Sequence, residues 1–237
     1  MRYDVIKMGF NEMKSYIKRI AKRYGISLPY ICGFFKGNIT LVNKGNLLRI
    51  KGAYRTHTSV NIRGNGNLIE VDGNSSLLDN CSFYISGNNN TIHIGSNCQL
   101  HNVSFYIEDS NGMISIGENT NITGNTHFAA IEGTSITIGR NCFFSQNITF
   151  RTGDSHSILD LEGHRINPSD NIVVGNHVWI SNSVTLLKGT QIGNNSIIAT
   201  GSIITSGKYP SNSILGGIGG RILKSGINWR TDRIPFK

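Results

Sequence analysis

The sequence predicts an all-β fold, a parallel coil whose stacked rungs present three flat faces. Composition is the first indication. The 237-residue chain holds 28 glycines, 28 asparagines and 34 isoleucines but only 4 prolines, and its glycine content is well above the usual share of about 7%. Isoleucine favours strands, while glycine and asparagine tolerate the positive φ that tight turns require. Charged residues make up 16% of the chain, against about 25% in typical domains, which argues against a helical bundle. The isoleucine content supplies the apolar material that a disordered chain lacks.

An internal repeat is the second indication. Four stretches align: VDGNSSLLDNCSFYISGNNN from Val71, IGSNCQLHNVSFYIEDSNG from Ile94, IGENTNITGNTHFAAIEGTS from Ile116 and IGRNCFFSQNITFRTGDSH from Ile138. Their starts lie 23, 22 and 22 residues apart. The third is a finer period of six. It links Ile94 to Leu100, Ile116 to Ile122 and Phe128, and Ile138 to Phe144 and Phe150, and it runs unbroken through Val174, Ile180, Leu186, Ile192, Ile198 and Ile204. A helix needs a period of 3.6 and a simple strand a period of 2. A step of six, with a small residue four places on (Cys98, Thr120, Cys142, Val178, Val184, Thr190, Ser196, Ser202), fits short strands joined by corners. The aliphatic residue points inward, the small residue fills the corner, and Gly or Asn turns it. Three hexapeptides complete an 18-residue rung, and rungs stack as parallel strands about 4.8 Å apart. The spacing of 22 gives one corner of the early rungs a four-residue excursion.

This register explains the cysteines. Cys98 and Cys142 are two rungs apart with Thr120 between them. That separation, about 9–10 Å, exceeds the reach of a disulfide. They read as small apolar fillers, and Cys32, Cys81, Cys98 and Cys142 show no metal-binding spacing.

The net charge of +9 is concentrated at the termini: residues 1–23 carry +5, residues 221–237 carry +4, and the body sums to zero. No basic stripe crosses the body, which argues against nucleic acid. No apolar run approaches the 18 or so residues of a membrane span, and charges break any signal core, so the expected location is the cytoplasm.

One break interrupts the register. From Phe150 to Val174 the gap is 24 residues where six are expected. The segment 153–170, GDSHSILDLEGHRINPSD, therefore leaves the coil as a loop and returns in register, and long loops on a rigid scaffold tend to be functional. Three regions follow: a basic amphipathic helix and linker over 1–36, the coil over 37–206, and a basic tail over 207–237. In the helix, Ile6, Phe10, Met13, Ile17, Ile20 and Tyr24 form an apolar stripe opposite a basic face. Two uses stay open: capping the coil or a neighbouring subunit, or lying on the inner, anionic face of a membrane.

The hexapeptide pattern, the looped-out histidine, the segment NHVWISNSVTLLKGTQIGNNSIIATGSIIT and the glycine-rich close together resemble the left-handed β-helix acyltransferases. The nearest group comprises the galactoside, maltose and capsular-polysaccharide O-acetyltransferases. The resemblance runs from about Ile94 to Lys224. It implies a left-handed coil, a homotrimer with active sites between subunits, acetyl-CoA as co-substrate without a metal, and a sugar hydroxyl, in a bacterial capsule or O-antigen, as acceptor. Carried over residue by residue, the catalytic histidine falls on His156 and the family tryptophan on Trp179. The sugar-binding asparagine falls on Asn125, and the CoA contacts fall on Ser181, Asn182, Thr200, Gly201 and Thr205. The bases near the 3′-phosphate fall on Arg221 and Lys224. The chain departs from the family at Gly219-Gly220, where Pro-Ala is common, and at Ser181, where glycine is commoner.

The chemistry needs such residues. A sugar hydroxyl is a poor nucleophile, and an imidazole, with an ordinary pKa of about 6.5, is a suitable base at neutral pH. Asp154 is the favoured partner to orient His156, ahead of Asp160 and Glu162. The Ser181 region is expected to supply a backbone N–H for the oxyanion. Trp179 offers a wall or stacking platform, and His127, beside Asn125, lines the acceptor site. Three alternatives are weighed. The first is N-acetylation of an amino sugar, which the same base would serve. The second is a non-enzymatic binding coil, which would need neither the loop nor the basic close. The third is a metal-dependent hydratase on the same coil, whose three convergent histidines His156, His164 and His177 do not supply.

Overall fold

The computed structural model describes residues 38–235. It is an all-β parallel solenoid without a helix among those residues, and the expected helix over residues 1–36 lies outside them. Every third strand joins the same sheet, which gives three faces. The first face runs from Ile39–Val42 through Val103–Glu108, Thr126–Ala130 and Ile148–Arg151 to Ile203–Ile204; the second runs from Leu47–Lys51 to Gly207–Tyr209. The third runs from Tyr54–Thr56 through Trp179–Ile180 to Ser213–Gly216 and is closed by the only antiparallel neighbour among the described strands, Arg221–Ser225. The coil therefore continues past position 206, where the sequence reading ended it. The hexapeptide register lapses there, but Gly207 still pairs with Thr190 and Leu215 with Ile198.

The period of six is the inward column of each face. Val174, Ile180, Leu186, Ile192, Ile198 and Ile204 fall on successive faces and are all buried. Their small companions are buried too, from Cys98 and Thr120 to Ser202. Thr120 Oγ1 accepts the Cys142 amide at 3.3 Å, so Cys98, Thr120 and Cys142 do stack in adjacent rungs. The first face carries an aromatic spine: Phe83, Phe105, Phe128 and Phe150 stack with centroids 4.7, 5.4 and 4.5 Å apart. Corners turn through left-handed residues such as Asn97, Asn119 and Asn141, at φ 55°, 56° and 57°. A short polar side chain makes that conformation accessible.

Burial pushes the Cys98 and Cys142 thiols up to about 11 and that of Cys81 to about 12. Thiolate is the reactive form. Alkylation of the folded protein at pH 8 is therefore expected to leave these three cysteines unlabelled, with full labelling after denaturation, as read by peptide mass spectrometry.

The four-residue excursions of the early rungs lie at the corner between the first and second faces, where Ala130 leads to Ser135 and Glu108 to Met113. The long loop leaves from this same corner, between Arg151 and Ile172, and its base closes where the Asp170 amide donates to Thr152 O at 2.9 Å.

Candidate active site

The loop is a built structure. Its outer half is a small hairpin in which Leu159 bridges Arg165 and the Ile166 amide donates to Ile158 O at 2.9 Å. At the tip, Asp160 Oδ1 accepts the amides of Glu162 and His164 at 3.1 and 2.8 Å. Two anchors hold the loop. Arg165 forms a two-pronged pair with Glu132, at 2.6 and 3.1 Å, and Ser169 Oγ donates to the same carboxylate at 2.8 Å. Arg165 and Ser169 hold the Glu132 carboxyl below the usual carboxylate range.

The second anchor is Asn167, buried at 6% exposure, whose amide is fully used. Its Nδ2 donates to Asp154 Oδ2 and to the main-chain O of His156, both at 2.8 Å; its Oδ1 accepts the Ile158 amide at 2.8 Å and Arg165 Nε at 3.1 Å. No pattern in the sequence marked this residue. Ser155, just before His156, sits at φ 66°, a conformation costing on the order of 1–3 kcal/mol for a residue other than glycine. Its Oγ accepts Arg151 Nη2 at 2.9 Å. The His156 side chain is exposed, on a backbone fixed from both sides. Replacing Asn167 with alanine is expected to speed tryptic cleavage after Arg165 while moving the melting temperature of the coil by no more than about 4 °C.

Asp154 has partners on both sides of the loop base. Its Oδ2 accepts Lys188 Nζ at 2.6 Å as well as Asn167, and these two partners hold its carboxyl below the usual range. The carboxylate thus ties the loop base to the next rung. Because its folded pKa is depressed, this tie is in place above the ordinary carboxylate range and is lost as pH falls through the folded value.

Two cavities flank the loop base and share Arg151 and Gly153. One of about 270 Å³ is lined by Tyr106, Glu108, His127, Ala129, Ile131, Arg151, Gly153 and Ser155; one of about 470 Å³ is lined by Asp154, Leu187, Lys188, Thr205 and Ser206 with the shared pair. His127 is half-buried, and burial and then the Arg151 charge push its pKa down, which favours the neutral imidazole. Of the expected site residues, His156 and Asp154 thus lie in the loop, His127 lines the smaller cavity at its base, and Asp154 and Thr205 line the larger one.

The others lie elsewhere in the chain. Asn125 is a left-handed turn residue, φ 42°, whose Nδ2 donates to Asn147 Oδ1 at 3.2 Å, one step in a ladder of turn asparagines. It occupies the corner between the third and first faces. Ser181 and Asn182 lie along that same corner two rungs further on and Thr200 and Gly201 three rungs on, with the Gly201 amide donating to Asn182 O at 2.9 Å. The Ser181 amide donates to Ile198 O at 3.0 Å within the ladder and so is not free for an oxyanion. Trp179 stands on the third face between Phe143 and Ile197, half-buried, 6.0 Å from Trp229. Trp229 in turn stacks on His177 at 4.3 Å and donates its Nε1 to His177 O at 2.8 Å. Arg221 and Lys224 are exposed on the closing strand of the third face.

A family model described as bacterial transferase hexapeptide (six repeats) matches residues 171–206. The chain is 39% identical over 66 residues to galactoside O-acetyltransferase of Escherichia coli (strain K12), which is 28% of this chain and 32% of that protein. It is 50% identical over 40 residues to polysialic acid O-acetyltransferase of Neisseria meningitidis, which is 16% of this chain and 19% of that protein. These matches span a third or less of the curated relatives. The structure of the polysialic acid O-acetyltransferase OatWY superposes with a TM-score of 0.73 at 26% identity, covering 83% of this chain and 92% of that one. The matches bear out the resemblance to the hexapeptide acyltransferases.

Proposed function

We propose that the protein is an acetyl-CoA-dependent O-acetyltransferase that acts on a sugar hydroxyl, with His156 as the general base. The observation that carries this reading is the single long interruption of a hexapeptide coil, which presents a histidine on a doubly clamped backbone beside two cavities. Similarity to proteins named as O-acetyltransferases supports the reaction class, and the names of two of them support a glycan acceptor such as a bacterial surface polysaccharide.

The acceptor sits on the Tyr106 side of the loop base and the thioester on the Lys188 side. His156 takes the hydroxyl proton as the oxygen attacks the thioester carbonyl, and the thiol of CoA departs. A base in this position contributes about 10²–10⁴-fold.

The coil in this reading is left-handed. Trp179 stands on the third face, and Asn125, Ser181, Asn182, Thr200 and Gly201 lie at the corner between the third and first faces, not at the loop corner. A homotrimer answers that division: a second copy brings this corner against the loop and completes the donor site, with Arg221 and Lys224 at the far end of the CoA arm. In this reading the enzyme works in the cytoplasm, and the basic residues among 1–36 offer a contact with the inner face of the membrane as the alternative to capping the coil or a neighbouring subunit.

The test is acceptor-dependent thiol release from acetyl-CoA with a panel of sugars, followed by mild alkali treatment of the product. O-acetylation predicts release only with acceptor and a product cleaved by alkali. An alkali-stable product would indicate amide formation and overturn the hydroxyl assignment. No acceptor-dependent release with any sugar, neutral or charged, would overturn the transferase reading.

A further inference from the structure

The outward side chains of the first face form a column in register: Tyr84 pairs with Tyr106, Tyr106 with Ala129, and Ala129 with Arg151. Its upper part is a stack. The Arg63 guanidinium lies 5.8 Å from the Tyr84 ring centroid, and the Tyr84 and Tyr106 rings lie 5.1 Å apart and within 11° of parallel. At Ala129 the column lacks a ring, and the cavity of about 270 Å³ opens there. Tyr106 and Arg151 are two rungs apart, about 9–10 Å along the backbone, which leaves room for one flat ring touching both.

The polar groups around this gap define what fits it. Arg151 forms no ion pair among the described residues, and its guanidinium donates to Ser155 Oγ. Glu108 lies on the other side, where its Oε2 accepts the Tyr106 hydroxyl at 2.8 Å. His127 tilts at 44° beside Tyr106, with ring centroids 6.3 Å apart. The gap thus has an apolar face, an unpaired guanidinium at one end, and hydroxyl-binding groups on its rim. Guanidinium and carboxylate form strong charge-assisted bonds, and sugar hydroxyls donate to carboxylate and imidazole acceptors.

We infer that this gap is a binding slot for a single carboxylate-bearing sugar ring. The ring lies against Tyr106 in the place the missing aromatic would occupy, with its carboxylate on Arg151 and its hydroxyls toward Glu108 and His127. A neutral ring stacks equally well but leaves Arg151 without a counter-ion. As an acceptor subsite the slot rests on the acetyl-transfer reading; as a binding site it does not.

The test is isothermal titration of the full chain with a short oligomer of sialic acid as the charged probe and maltotriose as the neutral one, with acetyl transfer measured on the same samples. The slot predicts binding of the charged probe. It predicts that Ala129→Tyr, which fills the gap with a ring in line with Tyr106, weakens that binding at least 10-fold. Arg151→Gln is expected to weaken it by about 10- to 100-fold while changing maltotriose binding less than about threefold. Should Ala129→Tyr fail to fold, the exposed Arg151 side chain carries the test. No binding of the charged probe, unchanged affinity in a folded Ala129→Tyr protein, or equal weakening of both probes by Arg151→Gln would overturn the slot. Transfer that persists in folded Ala129→Tyr protein overturns the slot and leaves the transferase standing; charged-probe binding with the predicted losses but without transfer does the reverse.

Discussion

Alanine at position 128 is expected to lower the stability of the coil by about 3–5 kcal/mol, the range for removing a buried phenylalanine. Phe128 is fully buried in the middle of the four-ring spine, with Phe105 on one side at 5.4 Å and Phe150 on the other at 4.5 Å. Its loss removes the ring's transfer free energy and leaves a cavity that neighbouring rungs fill poorly, because ladder bonds above and below fix their backbones. A solenoid is held by contacts between adjacent rungs. The damage therefore falls on the coupling between the N-terminal and C-terminal halves, and denaturant unfolding should lose cooperativity as well as shift its midpoint. An outward residue is the control: Met113, 38% exposed on the second face, is expected to change stability by no more than about 0.5 kcal/mol on replacement by alanine. Equal effects at the two positions would contradict the inward register of the spine.

The second large effect is on the reaction. Replacing His156 with alanine is expected to lower the rate of acetyl transfer by about 10²–10⁴-fold, the usual contribution of a positioned general base. The side chain is exposed and contributes nothing to the core, so thermal unfolding of the variant should match that of the wild type. Asn167→Ala is expected to reduce the same rate by about 100-fold through displacement of the His156 backbone. His127→Asn keeps a hydrogen-bonding group at its rim position and should raise the acceptor KM more than it lowers kcat. This contrast separates a base from a substrate contact.

The period of six was legible because it reports one physical condition repeated at every face. Each inward residue must fill the same space between the residues one rung above and below, so Ile94, Ile116 and Ile138 recur in step, and so do Cys98, Thr120 and Cys142. The loop was legible for the converse reason: an interruption of that condition is conspicuous, and the coil resumes at Ile172 because the stack demands it. The partners of the loop were not legible. Asp154 meets Lys188 across 34 positions and His177 meets Trp229 across 52, contacts set by the path of the chain between rungs and not by spacing within one. Asn125 is ambiguous in the sequence for a different reason. The role implied by its family position coincides with a conformational one, since an asparagine is also what a left-handed corner selects. Asn167 left no trace because a single buried amide has no period.

Acetyl transfer by wild type and His156→Ala protein, compared at saturating acetyl-CoA with an acceptor that supports turnover, tests the central claim most directly. The account predicts a rate loss of at least about 100-fold, with unchanged thermal unfolding and retained CoA binding. A folded variant that binds CoA and transfers acetyl at the wild-type rate would contradict it.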